Sequence, residues 1–171
     1  MKMKHVNKMF VVVLLLVGSA SVKAQSTAQA TATATIVTPI SISKTADMNF
    51  GNLAVDAVTG GSVELTPAGS RIAADGVSLP ATAGTVSAAA FTVTGNAGYT
   101  YAITLPGNVV LNHSGAFESM MADTFSSTPS GTGTLTGGTE NITVGATLWV
   151  AAGQLDGVYT SSDFDVTVNY N

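Results

Sequence analysis

Through the second half of the chain, apolar residues recur at every other position. Ala89, Phe91 and Val93 share one parity; Tyr99, Tyr101, Ile103 and Leu105 share the next, with Thr100, Ala102 and Thr104 between them. Ile142, Val144, Ala146, Leu148 and Val150 form the longest stripe, and Phe164, Val166, Val168 and Tyr170 the last. Side chains at i and i+2 of a strand point to the same face, so each stripe can line a core while its neighbours meet solvent. Turn signals punctuate the stripes: Thr59-Gly60-Gly61, Pro67-Ala68-Gly69, Asp75-Gly76, Gly95-Asn96-Ala97-Gly98, Pro106-Gly107-Asn108, Pro129-Ser130-Gly131, Gly137-Gly138 and Asp156-Gly157. Most lie roughly ten residues apart, the spacing of short strands in a sandwich or barrel. Two antiparallel sheets packed face to face is the economical reading. The low-complexity stretch Gly131–Thr139 reads as a loop or exposed hairpin.

The first residues follow a different rule. Lys2, Lys4 and Lys8 precede an unbroken apolar run, Met9–Val17, and Val22 and Ala24 supply small residues after it. This is the pattern of an export signal over residues 1–24, with Gln25 as the first mature residue. The apolar run is far short of the ~20 residues that a membrane-spanning helix needs. The expected product is secreted across the inner membrane, to the periplasm, the cell surface or the medium.

From Gln25 to Thr38 the alternation returns in miniature. Ala28, Ala30, Ala32, Ala34 and Ile36 fall on one face of an extended strand, and Thr27, Gln29, Thr31, Thr33 and Thr35 on the other. Such a segment is ready to add to a sheet edge. It fits three roles: a donor strand for another molecule, the first strand of its own domain, or a flexible leader. Residues 39–171 then form a single sandwich domain.

Composition supports the strand reading. Charged residues make up 9% of the chain against a usual ~25%. The Glu, Lys, Gln and Arg that surface helices require are therefore missing, while β-branched residues suited to a pleated surface abound. Four of the six basic residues lie in residues 1–24, leaving Lys44 and Arg71 against all ten acidic residues, a net charge of −8. A surface so poor in cations cannot neutralise phosphates, which argues against nucleic acid as a partner. The absence of cysteine removes zinc–thiolate sites, iron–sulfur clusters and thiol nucleophiles from consideration.

Catalytic chemistry is not legible. His113 is the one histidine after residue 24, and no G-x-S-x-G elbow presents a nucleophile for it to activate. Asp163 and Asp165 flank Phe164 and, on a strand, share one face at roughly 6–7 Å, near glycosidase spacing; the parity continues as Thr167 and Asn169, a plain solvent face. No metal-spaced cluster, phosphate loop or cofactor motif occurs, so the chain is expected to be non-enzymatic, without metal or cofactor. Trp149 has the opposite parity to its core-facing neighbours. Either a loop or strand covers it, the commoner case, or the indole belongs to a second contact surface able to stack a sugar ring.

Several stretches resemble a family of exported bacterial proteins catalogued as domain of unknown function 4402. They are Ala34–Ile42, Met48–Leu53, Gly61–Ser70, Phe91–Gly95, Tyr101–Pro106, Val144–Leu148, and Gly157–Thr160 with Val166–Tyr170. That resemblance implies a secreted β-sandwich and names no activity. The C-terminal pattern, Gly157-Val158-Tyr159 followed by an alternating strand with tyrosine next to last, also looks like pilin subunits of chaperone–usher fimbriae and the related spore-coat U type. Those are immunoglobulin-like sandwiches lacking a final strand, completed by the N-terminal extension of the next subunit. Many carry a disulfide, and this chain has none.

The two likenesses imply an all-β, immunoglobulin-like (pilin-like) antiparallel β-sandwich. The function expected is that of a structural or adhesive subunit of a fibre or coat, partnered by itself and by a periplasmic chaperone and outer-membrane usher. Ala28, Ala30, Ala32, Ala34 and Ile36 would be the donor face, and Phe164, Val166, Val168 and Tyr170 would mark the acceptor edge. The alternative is a monomeric binding module, for carbohydrate for example, with Trp149 as stacking residue.

Overall fold

The computed structural model describes residues 24–171, which comprise the end of a first unit, up to Thr35, and the whole of a second, Ile36–Asn171. Apart from Ala24, the export signal lies outside the described residues. Residues 24–35 form no strand, and each is exposed. The alternating alanines therefore belong to no sheet.

The second unit is built from short strands: β1 (Ser41–Ala46), β2 (Ala54–Val55), β3 (Gly61–Leu65), β4 (Arg71–Asp75), β5 (Val77–Ser78), β6 (Ala89–Thr94) and β7 (Thr100–Thr104). It continues with β8 (Asn108–His113), β9 (Ser119–Thr128), β10 (Thr132–Thr134), β11 (Thr139–Val150), β12 (Tyr159–Ser161) and β13 (Thr167–Tyr170). Among the described residues one helical turn occurs, the 3-10 turn Thr136–Gly138. The large sheet runs β1-β6-β11-β9-β8-β12, a second sheet runs β10-β7-β13, and β2 pairs with β5. Every ladder is antiparallel. The fold is an all-β sandwich, as the alternation predicts.

The longest stripe becomes the spine. Ile142, Val144, Ala146, Leu148 and Val150 of β11 are all buried, and each large aliphatic side chain so buried contributes about 1.5–3 kcal/mol. Along one edge β11 pairs first with β6, over Thr139–Val144, and then with β3, over Ala146–Val150. The hand-over falls at Gly145, where a Cβ would stand 2.0 Å from the Leu65 carbonyl oxygen. Only glycine lets the end of β3 approach that closely.

This division produces two cores. The first joins Phe91, Val93, Ile142 and Val144 of the large sheet to Tyr101, Leu135, Val166 and Val168 on the opposite side. The second gathers Phe50, Val63, Leu65, Val77, Ala146 and Leu148. Arg71 closes the segment over it by donating from Nη1 to the carbonyls of Phe50 (2.7 Å) and Asn52 (2.8 Å).

Three expectations need correction. Tyr99 lies outside β7 and is exposed, while Tyr101 is fully buried. The Gly131–Thr139 stretch is part of the sandwich: Thr132–Thr134 pairs with β7, and Leu135 is fully buried. Gly133 is needed because a Cβ there would meet the Tyr101 ring at 2.3 Å. Asp163 and Asp165 are not on a strand, since β13 begins at Thr167, so the two-carboxylate face does not form.

Candidate functional site

An open edge is the first feature that could meet a partner. β13 pairs with β7 on one side, and among the described residues no strand pairs with the other. β1 forms the end of the large sheet, paired with β6 alone, and approaches β13 across the sandwich. Partly buried apolar side chains, Ile40, Ile42, Ile103, Leu105 and Phe164 among them, pack on the first core.

The two edges are protected differently. β1 carries Lys44 and a break in register between Lys44 and Ala46, both devices that discourage edge-to-edge pairing. Lys44 is in turn paired with Asp47, whose hydrogen bond and then charge raise the ammonium pKa. β13, by contrast, reads Thr167-Val168-Asn169-Tyr170: no charge, no proline, and no break in its ladder. Its outward backbone groups are thus available to an added strand.

Tyr170 fastens the corner. Its hydroxyl accepts a hydrogen bond from the Asn96 backbone N–H (2.6 Å) and donates to the Thr38 carbonyl (2.8 Å). Its ring meets Tyr99 edge-on at 5.5 Å. A Cβ on Gly95 would lie 2.3 Å from this hydroxyl, so the turn must carry glycine there. Residue 38 is where the alternating N-terminal segment ends, and that segment's Ile36 is 98% exposed. Of the predicted acceptor residues, Val168 and Tyr170 lie on β13. Val166 is buried just before it, and Phe164 packs on Phe125 at 5.5 Å.

The second feature is the outer face of the large sheet. Trp149 is 46% exposed, so among the described residues no loop or strand covers it fully. Its Nε1 donates to Asp123 Oδ1 (2.9 Å), which also accepts from Thr124 Oγ1 (2.9 Å). Thr124 sits at φ 48°, inside a bulge where β9 slips against β11 between Gly145 and Thr147. That is a strained conformation for a β-branched residue. Asp123 and the bulge escape sequence reading because nothing in one chain announces a cross-strand register.

His113 is engaged structurally. Its Nδ1 accepts from the Gly115 N–H (2.9 Å), its Nε2 lies 3.0 Å from the Asp156 carbonyl, and its ring packs on Tyr159. Asp56 accepts the N–H groups of Val58 and Thr59, which lower its carboxyl pKa and hold a turn. Among the described residues no three His, Asp or Glu side chains gather as metal ligands, and no helix is long and apolar enough to cross a membrane.

Of the known families, the model described as Domain of unknown function (DUF4402) matches residues 40–170, which begins just after the alternating segment. No curated protein and no solved structure matches the chain.

Proposed function

The chain belongs to the DUF4402 family, and we propose that it acts as a secreted, non-enzymatic structural or adhesive subunit that assembles by strand addition. In this reading residues 27–37 of one copy lie along the free edge of β13 in the next. Ala28, Ala30, Ala32, Ala34 and Ile36 face the first core, and the threonines face water. The observation that carries the reading is the unpaired β13 edge, which lacks the lysine and register break that guard β1. The exposed, strand-free N-terminal segment supplies a donor of matching period. Small alanine side chains suit a narrow opening between two sheets that already pack on one core. The likeness to fimbrial pilins supports the same mode and brings a periplasmic chaperone and an outer-membrane usher as partners. The engagement of His113 by backbone groups supports a role without catalysis.

Deleting residues 25–37 is expected to abolish polymers seen by electron microscopy, and undiminished polymerisation would overturn the donor role. The chain has no cysteine, so the pair Thr33→Cys with Asn169→Cys, both on the water-facing side of the proposed ladder, gives an unambiguous second readout. Oxidised material should run as a ladder on non-reducing gels, and each single variant should stop at the dimer.

A further inference from the structure

The outer face of the large sheet carries a narrow apolar row set between polar ones. Cross-strand registers place Val110 opposite Met121, Met121 opposite Trp149, and Trp149 opposite Ser62. Val110, Met121 and Trp149 are all exposed, and on strands about 4.8 Å apart they make a strip roughly 10 Å long. One step along the strands, the neighbouring row reads Asn108, Asp123, Thr147 and Glu64 and ends on β4 at the exposed Ile72. On the other side Asn112 stands opposite Ser119. A shallow depression of about 450 Å³ opens beside the indole, lined in part by Met121, Ser119, Gly60 and Asp75.

Two details restrict what can sit there. The indole N–H is already given to Asp123, one row along on β9, so it is not free for a ligand, and what the half-exposed Trp149 has left to offer is its apolar ring. A π face prefers the flat C–H surface of a ring or a cation. The polar rows hold carboxylates, amides and hydroxyls but no lysine or arginine. Of the two basic residues after residue 24, Lys44 pairs with Asp47 and Arg71 with backbone carbonyls. Anionic ligands are thereby disfavoured, whereas the hydroxyl groups of an uncharged sugar find acceptors and donors on both sides of the strip. The row is also only one residue wide, too narrow for the ~800 Å² per partner of a stable protein interface.

We infer that this face is a binding site for neutral oligosaccharides, with one ring stacked on Trp149 and the hydroxyls of that ring and of neighbouring sugar units bonded to the flanking Asn108, Glu64 and Ser119. The site lies on a different sheet from the β13 edge and stands or falls independently of strand addition.

The test is calorimetric titration of the whole protein with neutral hexasaccharides of glucose (α- and β-linked), mannose and N-acetylglucosamine, and with an oligogalacturonate as the anionic counterpart. At least one neutral hexasaccharide should bind, with affinity falling roughly tenfold or more in Trp149→Ala. Trp149→Phe should retain part of it with an unchanged melting temperature, which separates stacking from folding. The oligogalacturonate should not bind. The proposal is overturned if no neutral hexasaccharide binds, if binding survives Trp149→Ala, or if the anionic sugar binds equally well. A concentration-dependent dimer abolished by Trp149→Ala would assign the face to a second copy and overturn it too.

Discussion

Tyr101 and Tyr170 are cross-strand partners, yet their hydroxyls meet opposite surroundings. Tyr170 sits at the rim and joins two backbone groups. Tyr101 is fully buried and donates to Glu140 Oε2 (2.9 Å), an oxygen that also accepts the Thr134 N–H (2.7 Å). Burial first, and then the bond to the Glu140 carboxylate, raise the Tyr101 pKa well above its ordinary 10.0. A raised acid favours its protonated form in the fold. The stabilisation is therefore complete below pH 10 and is lost as pH climbs beyond it. On alkaline titration followed by ultraviolet absorbance, Tyr101 should ionise only together with the loss of far-ultraviolet circular dichroism, and Tyr101→Phe should remove that late step.

At the scale of elements, β11 decides the architecture, and Gly145 is its weakest point for substitution. Gly145→Ala would put a methyl against the backbone of Leu65, Thr66 and Pro67 rather than against a flexible side chain. Overpacking of this kind costs about 1–3 kcal/mol, so urea unfolding should show a midpoint lowered accordingly with an unchanged slope. Alanine at Gly69, where a Cβ meets nothing within 4 Å, is the space-filling contrast, although its φ of +81° adds backbone strain of its own.

The alternation made β6, β11 and β13 readable as strands because a period of two survives in one dimension. What the sequence did not reveal depends on neighbours. Gly133 and Leu135 looked like loop because their packing partner, Tyr101, is thirty or so residues away and the composition is only Gly, Thr and Leu. Tyr99 looked like core by parity, but β7 begins one residue later. In β9 the bulge at Thr124 switches parity between buried Ala122 and buried Ser127, so no single stripe exists to be seen. The candidate sites divide the same way. The penultimate tyrosine and the odd parity of Trp149 were visible, whereas Asn96, Thr38 and Asp123, which fix their orientations, were not.

For the molecule as a whole, the charge balance left after residue 24 matters more than any single ion pair. Ten acidic residues face two basic ones, both already engaged. Self-repulsion of this kind weakens the compact state and is relieved by screening. Raising sodium chloride from about 0.01 M to about 1 M shortens the Debye length from ~30 Å to ~3 Å. The melting temperature measured by calorimetry should rise by a few degrees, and a fall would contradict this account. The Tyr170–Thr38 bond adds a mechanical consequence. If the N-terminal segment of one molecule seats beside β13 of the next, tension along a chain of copies enters and leaves each domain at the same corner. That corner sits over the first core, so stretching would load the Tyr170 fastening and the β7–β13 ladder in shear while the second core stays unstressed.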